Sequence, residues 1–251
     1  MSIESFSRAA CFHASALLRA GLLVGAIFGG LVPLAMSAAA EDEEELKAEM
    51  RETWYVSSVV AGDSGFRMSH YWSKGSSLRA ETMVGIHPVV TVVRGDRYWV
   101  YDELTRQGIE IVRSAKAVAQ DATRTRPFAT DFEDLLARSG ERIDTTSIGG
   151  LAVEVWRVSN SKGRRTVWVM ADAPRVPLRV ENFDRQSAQT ATLDYSNWAT
   201  GVDLSDRAFE PPTDVEFQKF THAEYLAKTL EGQGRRAPIL FPKLLYGASP
   251  R

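Results

Sequence analysis

The residues that could do metal or acid–base chemistry in this chain are few and widely spaced. Beyond residue 40, histidine occurs only at His70, His87 and His222, and cysteine does not occur. These histidines do not form the H-E-x-x-H or paired spacing that holds zinc. The sequence contains neither G-x-S-x-G, the nucleophile motif of many hydrolases, nor a glycine-rich phosphate loop. We therefore predict a protein that is not an enzyme and holds no metal or cofactor, with an exported hydrolase as the least favoured alternative.

Charged residues offer two further candidate contacts. Asp131, Glu133 and Asp134 form an acidic cluster, which we interpret as the solvated face of a predicted helix. Four arginines could meet anionic head groups or be plain surface charge: Arg124, Arg126, Arg235 and Arg236. With 30 Lys+Arg against 32 Asp+Glu, the net charge is −2. This balance, without a basic stripe, predicts no nucleic-acid partner.

The first forty residues have the pattern of a secretory signal peptide. Arg8 and Arg19 precede an apolar run, residues 20–36, which is followed by small residues that end at Ala40. The run is short for a membrane span and is broken by glycine and proline, so a retained anchor is the less favoured alternative. We expect cleavage after Ala40, which removes Cys11, the only cysteine. The exported chain would then have no disulfide and need an ordinary packed core.

Most of the remaining chain is typical of short antiparallel strands joined by tight turns. Pairs such as Lys74-Gly75 and Gly95-Asp96 separate apolar segments at intervals too short for βαβ units. Strands are predicted at residues 54–61, 66–73, 77–83, 89–94, 97–102, 108–113, 141–148, 151–159, 164–171, 176–183 and 190–198.

Three helices are predicted beside these strands, at residues 42–53, at residues 127–140 and from Thr221 to Gly232. The second has one apolar stripe, made of Phe128, Phe132, Leu135 and Leu136. In the third, Glu224 follows Thr221 by three residues and predicts a capping box. The apolar stripe of the third helix comprises Ala223, Leu226, Ala227 and Leu230.

The tail, residues 233–251, combines three prolines with large apolar residues. We predict that it is not helical, and it is too apolar for a disordered segment. It could lie across the body as a strap or dock on a partner or a membrane surface. The strap is the favoured interpretation.

Several strands, among them residues 98–101 and 166–170, carry large apolar groups on both faces. A curved sheet needs this pattern if its concave side wraps helices or a ligand, and aromatic side chains suit a lipid cavity. Ordinary core packing is the alternative for each residue, and the face of Trp99 and of Trp168 stays open. The predicted cavity wall comprises Val90, Val92, Trp99, Tyr101, Trp168, Met170, Leu178, Val180, Leu193 and Tyr195.

Four stretches, in this order, resemble the periplasmic outer-membrane lipoprotein carrier (LolA-like) family and its lipoprotein-sorting relatives. They are residues 66–79, 91–101, 164–183 and 203–215. The resemblance implies an α+β fold, a strongly curved antiparallel β half-barrel with helices on the concave side. It assigns residues 41–232 to a lipid-binding domain between the signal peptide, residues 1–40, and the tail, residues 233–251. The turn at residues 74–76, Lys-Gly-Ser, departs from the family's Lys-Arg-Pro, so the family's lid-holding arginine does not carry over.

The resemblance also implies a function in the periplasm. The family implies a monomeric carrier of lipids or of the acyl chains of lipoproteins, which helps to move them toward the outer membrane. An inner- or outer-membrane protein would be its partner. The alternative is a regulatory sensor in envelope stress, which would bind lipid or lipoprotein with the same fold and signal to a membrane protein through the tail.

Overall fold

The computed structural model describes residues 52–62, 65–230 and 238–247, which contain twelve β-strands. The strands are β1 (Thr53–Gly62), β2 (Gly65–Lys74), β3 (Ser77–Val84), β4 (His87–Arg94), β5 (Arg97–Asp102), β6 (Gln107–Val112), β7 (Glu141–Ile148), β8 (Leu151–Ser159), β9 (Gly163–Met170), β10 (Pro177–Asp184), β11 (Gln189–Thr200) and β12 (Glu216–Phe220). They form one sheet in the order β12-β6-β5-β4-β3-β2-β1-β11-β10-β9-β8-β7. The sheet is open, curved and mostly antiparallel, so the predicted half-barrel is confirmed.

Four short helices accompany the sheet within these ranges. They are α1 (Ala115–Asp121), α2 (Asp131–Leu136), α3 (His222–Leu230) and α4 (Pro242–Tyr246). In the described part of the chain, no helix combines the length and the apolarity needed to cross a membrane. The predicted signal peptide and the ends of the tail, residues 233–237 and 248–251, lie outside the described ranges. So does most of the helix predicted at residues 42–53, whose last residue, Thr53, begins β1.

Turn chemistry explains why the strands fall where the sequence predicts them. Gly85 and Gly95 sit at the tips of the β3–β4 and β4–β5 hairpins with φ of 63° and 55°, a left-handed conformation that glycine adopts without strain. All eleven predicted strands are present. The twelfth, β12, was not predicted, and it pairs with β6 in parallel, as Phe217 opposite Gly108 shows.

The two faces of the sheet carry different apolar clusters. Because side chains alternate along a strand, register partners share one face. Val93 and Tyr98 are partners on the face that packs against α2, α3 and α4, which we call the inner face. The neighbouring pair, Val92 and Trp99, lies on the opposite, outer face.

The helix predicted at residues 127–140 is much shorter than expected. Only α2 is helical, because Ala129 just before it and Ser139 just after it have positive φ, 49° and 57°. Phe128, Phe132 and Leu135 are buried as the stripe predicts. Leu136 is exposed, so the prediction that it belongs to the stripe is wrong.

Helix α3 has the predicted start but buries a different side. The capping box at Thr221 is confirmed: the Glu224 N–H donates to Thr221 Oγ1 at 3.2 Å, and the Thr221 N–H donates to the Glu224 carboxylate at 2.7 Å. The predicted apolar stripe is wrong, since Ala223, Leu226 and Ala227 are exposed. Tyr225 is buried instead, with its ring 6.0 Å from that of Phe220, and its larger apolar area orients the helix.

Two further helices differ from the sequence prediction. Helix α1 was not predicted; Ser114 caps it by accepting a hydrogen bond from the Ala117 N–H at 3.1 Å. Helix α4 lies in the tail, where no helix was expected. Its first residue is Pro242, and proline suits the first helical position because no partner is needed there for a backbone N–H.

Candidate functional site

The inner face of the sheet is the candidate binding surface. Its floor consists of buried apolar side chains from the central strands, such as Val56, Ala80, Val93 and Ile111. Three short segments cover this floor as a roof: the loop that leads into α2, helix α3 and residues 238–247 of the tail. The roof and the floor together form one apolar cluster, which includes Phe128, Phe132, Leu135, Tyr225, Leu244 and Leu245.

Residues 238–247, which we call the strap, lie across the inner face. Leu244 and Leu245 are buried, and the Phe241 ring meets the Tyr71 ring edge to face at a centroid distance of 5.9 Å. The Phe241 N–H donates to the hydroxyl of Tyr98 at 3.3 Å. The predicted strap is therefore confirmed for these residues.

A buried arginine fixes the strap to the end of β6. The Arg113 side chain is fully enclosed; its Nε donates to the Leu244 carbonyl at 2.7 Å, and its terminal nitrogens pair with the Asp121 carboxylate at 2.7 and 2.9 Å. The Ser114 N–H donates to the Leu245 carbonyl at 3.1 Å. Sequence reasoning missed Arg113, because one arginine at a strand end has no pattern that marks it as buried. Arg113 anchors the strap to the sheet, and the sequence analysis had predicted no residue for this role.

A second buried arginine orders the loop before α2. The Arg126 guanidinium lies 5.2 and 5.3 Å from the ring centroids of Trp54 and Trp198 and donates to the Ala129 carbonyl at 3.0 Å. The interpretation of Arg126 as plain surface charge is therefore wrong, and its contact with anionic head groups stays a prediction. Arg124 pairs with Asp121 at 3.0 Å. The other two arginines of that set, Arg235 and Arg236, lie outside the described residues.

A cavity of about 320 Å³ lies between the strap, the α2 loop and the floor. Its apolar walls come from Tyr71, Phe128, Leu240, Phe241 and Leu244. This volume is near the lower end of the range for small-molecule sites, which bind mostly through apolar walls with a few polar groups.

The polar groups of this cavity converge on Asp131. The Tyr195 hydroxyl donates to its carboxylate at 2.7 Å, and Arg165 forms an ion pair with it. Burial, reinforced by the Asp131 charge, raises the pKa of Tyr195 well above its ordinary value, so the hydroxyl stays protonated and donates. The interpretation of Asp131 as a solvated surface carboxylate is therefore wrong. Asp134, from the same predicted cluster, pairs with Lys243 of the strap.

A second and more open cleft of about 800 Å³ lies beyond α2, toward one end of the sheet. Val158, Asn182 and Ala191 line it, together with the turns that join β8 to β9 and β10 to β11. Arg165 lines both this cleft and the smaller cavity. Its Nε is buried without a hydrogen-bond partner, and the side chain as a whole is 24% exposed.

The structure brings only some of the predicted cavity-wall residues together. Val180 and Tyr195 belong to the inner cluster, and Met170 and Leu193 pack against it. Of these four, Tyr195 lines the 320 Å³ cavity. Leu178 is buried at a bulge where the β9–β10 register shifts.

The other five predicted residues lie on the outer face. Val90, Val92, Trp99 and Tyr101 form the outer cluster, and Trp168 lies opposite Arg179 on the same side, since their neighbours Val167 and Val180 are inner. Phe209 and Val215, from the segment after β11, cover the outer cluster. The ten residues therefore do not share a single wall. Lipid contact by any of them stays a prediction.

The histidines have ordinary structural contacts. His70 Nδ1 lies 2.9 Å from the Tyr55 hydroxyl, and His87 pairs with the carboxylate of Asp102. The His222 ring packs against Tyr246 of the strap. Across the described ranges, no group of three His, Cys, Asp or Glu side chains is arranged to hold a metal ion.

No family model and no curated protein matches the sequence. Solved structures with a similar fold include an uncharacterized conserved protein from Thermus thermophilus, 13% identical, with a TM-score of 0.49 over 73% of this chain and 99% of that one. A chain of the Pseudomonas aeruginosa MucA/MucB complex is 13% identical, with a TM-score of 0.41; the match covers 70% of this chain and 62% of that one.

An outer membrane lipoprotein-sorting protein domain from Vibrio parahaemolyticus is also similar. It is 16% identical, with a TM-score of 0.30, and the match covers 67% of this chain and 94% of that domain. At this level of similarity, none of the three carries a conclusion about the function of this chain.

Proposed function

We propose that this protein is a periplasmic binding or carrier protein for lipids or the acyl chains of lipoproteins, which it helps to move toward the outer membrane. The observation that carries the proposal is the inner face: an apolar, aromatic floor on a curved sheet, roofed by short segments that leave a cavity. The apolar floor suits an acyl chain, and the charged groups that line the cavity, among them Asp131, Arg165 and Lys243, would lie beside its polar end.

Ligand entry would displace part of the roof. The 320 Å³ cavity is small, and the strap occupies the adjoining floor with Phe241, Leu244 and Leu245. A long acyl chain would take the place of these side chains, exchanging one set of apolar contacts for another. Each buried CH₂ of the ligand contributes about 0.8 kcal/mol, which offsets the loss of strap contacts.

The polar end of the ligand would meet Arg165. This side chain lines both the cavity and the larger cleft, and about a quarter of it, 24%, is exposed. An anionic head group there could share the guanidinium with Asp131, because guanidinium groups present several donors in one plane. The apolar chain would then point toward Tyr71 and Phe128.

Export to the periplasm rests on the signal peptide predicted at residues 1–40. The carrier would act as a monomer and exchange its ligand with an inner- or outer-membrane protein. As part of the same proposal, the protein acts by binding and is not an enzyme.

Native mass spectrometry of the protein purified from the envelope fraction tests this function first, with organic extraction to identify any co-purified lipid. The variant Leu240→Gln changes the cavity lining, and Leu151→Gln changes an equally large but exposed leucine on the β7–β8 turn as a control. We expect Leu240→Gln to weaken binding of a fluorescent fatty acid about tenfold and Leu151→Gln to leave it unchanged. The proposal is overturned if the purified protein carries no lipid and does not bind the fluorescent fatty acid.

The strap favours a second candidate, a regulatory sensor. If lipid displaces the strap, a membrane protein could bind the released segment. Lipid binding at the floor would then be signalled to that protein. A chain that ends at residue 237 separates the two functions. Because a ligand would displace the strap, both functions predict that this chain still binds lipid. Loss of a membrane-protein partner would favour the sensor, and an unchanged partner would favour the carrier.

A further inference from the structure

Five hairpin turns lie at the same end of the sheet, which we call the rim. Because consecutive strands are antiparallel, the turns β1–β2, β3–β4 and β5–β6 follow one another at this end. Pairing of β1 with β11 places the β10–β11 and β8–β9 turns there as well, since Ala61 is opposite Thr192 and Asp184 is opposite Gly163. The opposite end carries the β2–β3, β4–β5 and β7–β8 turns.

Three consecutive hairpins expose large apolar side chains at the rim. Phe66 lies at the start of β2, and Ile86 and Leu104 lie on the β3–β4 and β5–β6 turns; they are 71%, 78% and 62% exposed. Turns are normally polar, so three such residues in a row at one end form an apolar edge that water does not favour. Met68 and Met83 extend it, since each adjoins the paired residues Ser69 and Thr82.

The other two turns of the rim are basic. Lys162 lies on the β8–β9 turn and Arg185 on the β10–β11 turn, and Arg164 follows at the start of β9, where it pairs with Glu181 at 3.3 Å; all three basic residues are exposed. The one acid of these two turns, Asp184, already accepts hydrogen bonds from the N–H and hydroxyl of Ser187 at 2.8 and 3.0 Å. The 800 Å³ cleft opens between these turns, so its mouth belongs to the rim.

We propose that the rim docks on the surface of a lipid bilayer that contains anionic phospholipid. The apolar turns would enter the boundary between head groups and acyl chains, and the basic turns would contact the head groups beside them. A bilayer fits this arrangement better than a protein partner, because the apolar residues belong to separate hairpins. A fluid surface can surround each of these side chains individually. The inference does not depend on lipid binding by the inner face, although docking would turn the mouth of the cleft toward the membrane.

Vesicle flotation tests the proposal. The sample is the protein purified after expression of the full sequence in a Gram-negative host. One vesicle set contains phosphatidylethanolamine with phosphatidylglycerol, and the other contains phosphatidylcholine only. The variant Phe66→Ser/Ile86→Ser/Leu104→Ser removes the apolar edge, and Leu151→Ser, exposed at the opposite end of the sheet, is the matched control. We expect the triple variant to reduce partition into anionic vesicles by about tenfold or more and the control to leave it unchanged.

A charge variant, Lys162→Glu/Arg185→Glu, separates the two parts of the rim. It should weaken binding to anionic vesicles and remove its salt dependence, with no effect on phosphatidylcholine. Circular dichroism confirms that each variant is folded. The proposal is overturned if the wild type does not float, if the triple variant floats as well as the wild type, or if sedimentation shows a dimer that only the triple variant abolishes.

Discussion

The two faces of this sheet are covered in different ways. On the outer face, Phe209 and Val215 cover the apolar cluster, and the ion pair between Arg94 and Glu210, both exposed, holds their segment at its surface. On the inner face, the strap is held from below by Arg113, whose charge is enclosed. An exposed ion pair contributes little and adapts to movement, whereas a buried one is costly to leave incomplete.

This difference indicates distinct tasks for the two covers. The outer segment resembles a patch that seals a hydrophobic core. The strap combines apolar contacts, which another apolar group could replace, with polar anchors, of which the hydrogen bond from Arg113 is enclosed and the Lys243–Asp134 ion pair is exposed. A cover of that kind suits a surface that exchanges its occupant.

The largest expected effect comes from breaking the inner anchor. Arg113→Met leaves Asp121 without its buried partner and the Leu244 carbonyl without a donor, so the free energy of unfolding should fall by about 3–5 kcal/mol. Urea unfolding measures this change. Arg94→Met on the outer face should cost less than about 1 kcal/mol. Equal losses in the two variants would contradict the contrast between the faces.

Truncating the outer cover should destabilise the protein without changing ligand binding. Phe209→Ala removes a buried ring from the outer cluster and should cost about 3 kcal/mol in urea unfolding. Because the inner cavity is on the other side of the sheet, the affinity for a fluorescent fatty acid should stay within twofold, or about 0.4 kcal/mol. A clear loss of affinity would show that the outer cluster belongs to the binding site, as the sequence suggested for Val92 and Trp99.

A smaller effect is expected at Tyr195 on the inner face. Tyr195→Phe removes the hydrogen bond to Asp131 and should cost about 1.5 kcal/mol. The folded state raises the pKa of Tyr195, so wild-type stability is fully present below the ordinary tyrosine pKa of about 10 and falls as the pH rises beyond it. The variant should show a shallower fall in alkaline urea titrations. An identical pH dependence would mean that this hydroxyl titrates as in the unfolded chain.

Local chemistry made the sheet predictable from the sequence. Glycine turns such as that at Gly95 fix where one strand ends and the next begins, and the capping box at Thr221 fixes the start of α3. Strand β12 escaped prediction because a short parallel strand at a sheet edge owes its pairing to a partner far away in the sequence. The same holds for α4, whose burial beside β6 and α1 comes from tertiary contact.

The binding surface was less predictable, for a reason that lies in the strands themselves. Strands β4 and β5 carry large apolar side chains on both faces, so alternation separates Trp99 from Tyr98 but does not say which one faces the helices. Only the covering segments decide this, and they come from distant parts of the chain. The buried roles of Arg113 and Arg126 depend on the same long-range packing.

The strap is the last described segment of the chain, and its position implies an order of assembly. Residues 238–247 follow all twelve described strands in the sequence, so they are synthesised after the whole sheet. The sheet can therefore pair before its inner face is closed, which leaves an aggregation-prone intermediate for as long as the strap is missing. A chain that lacks the strap would remain in that intermediate, prone to self-association and to proteolysis.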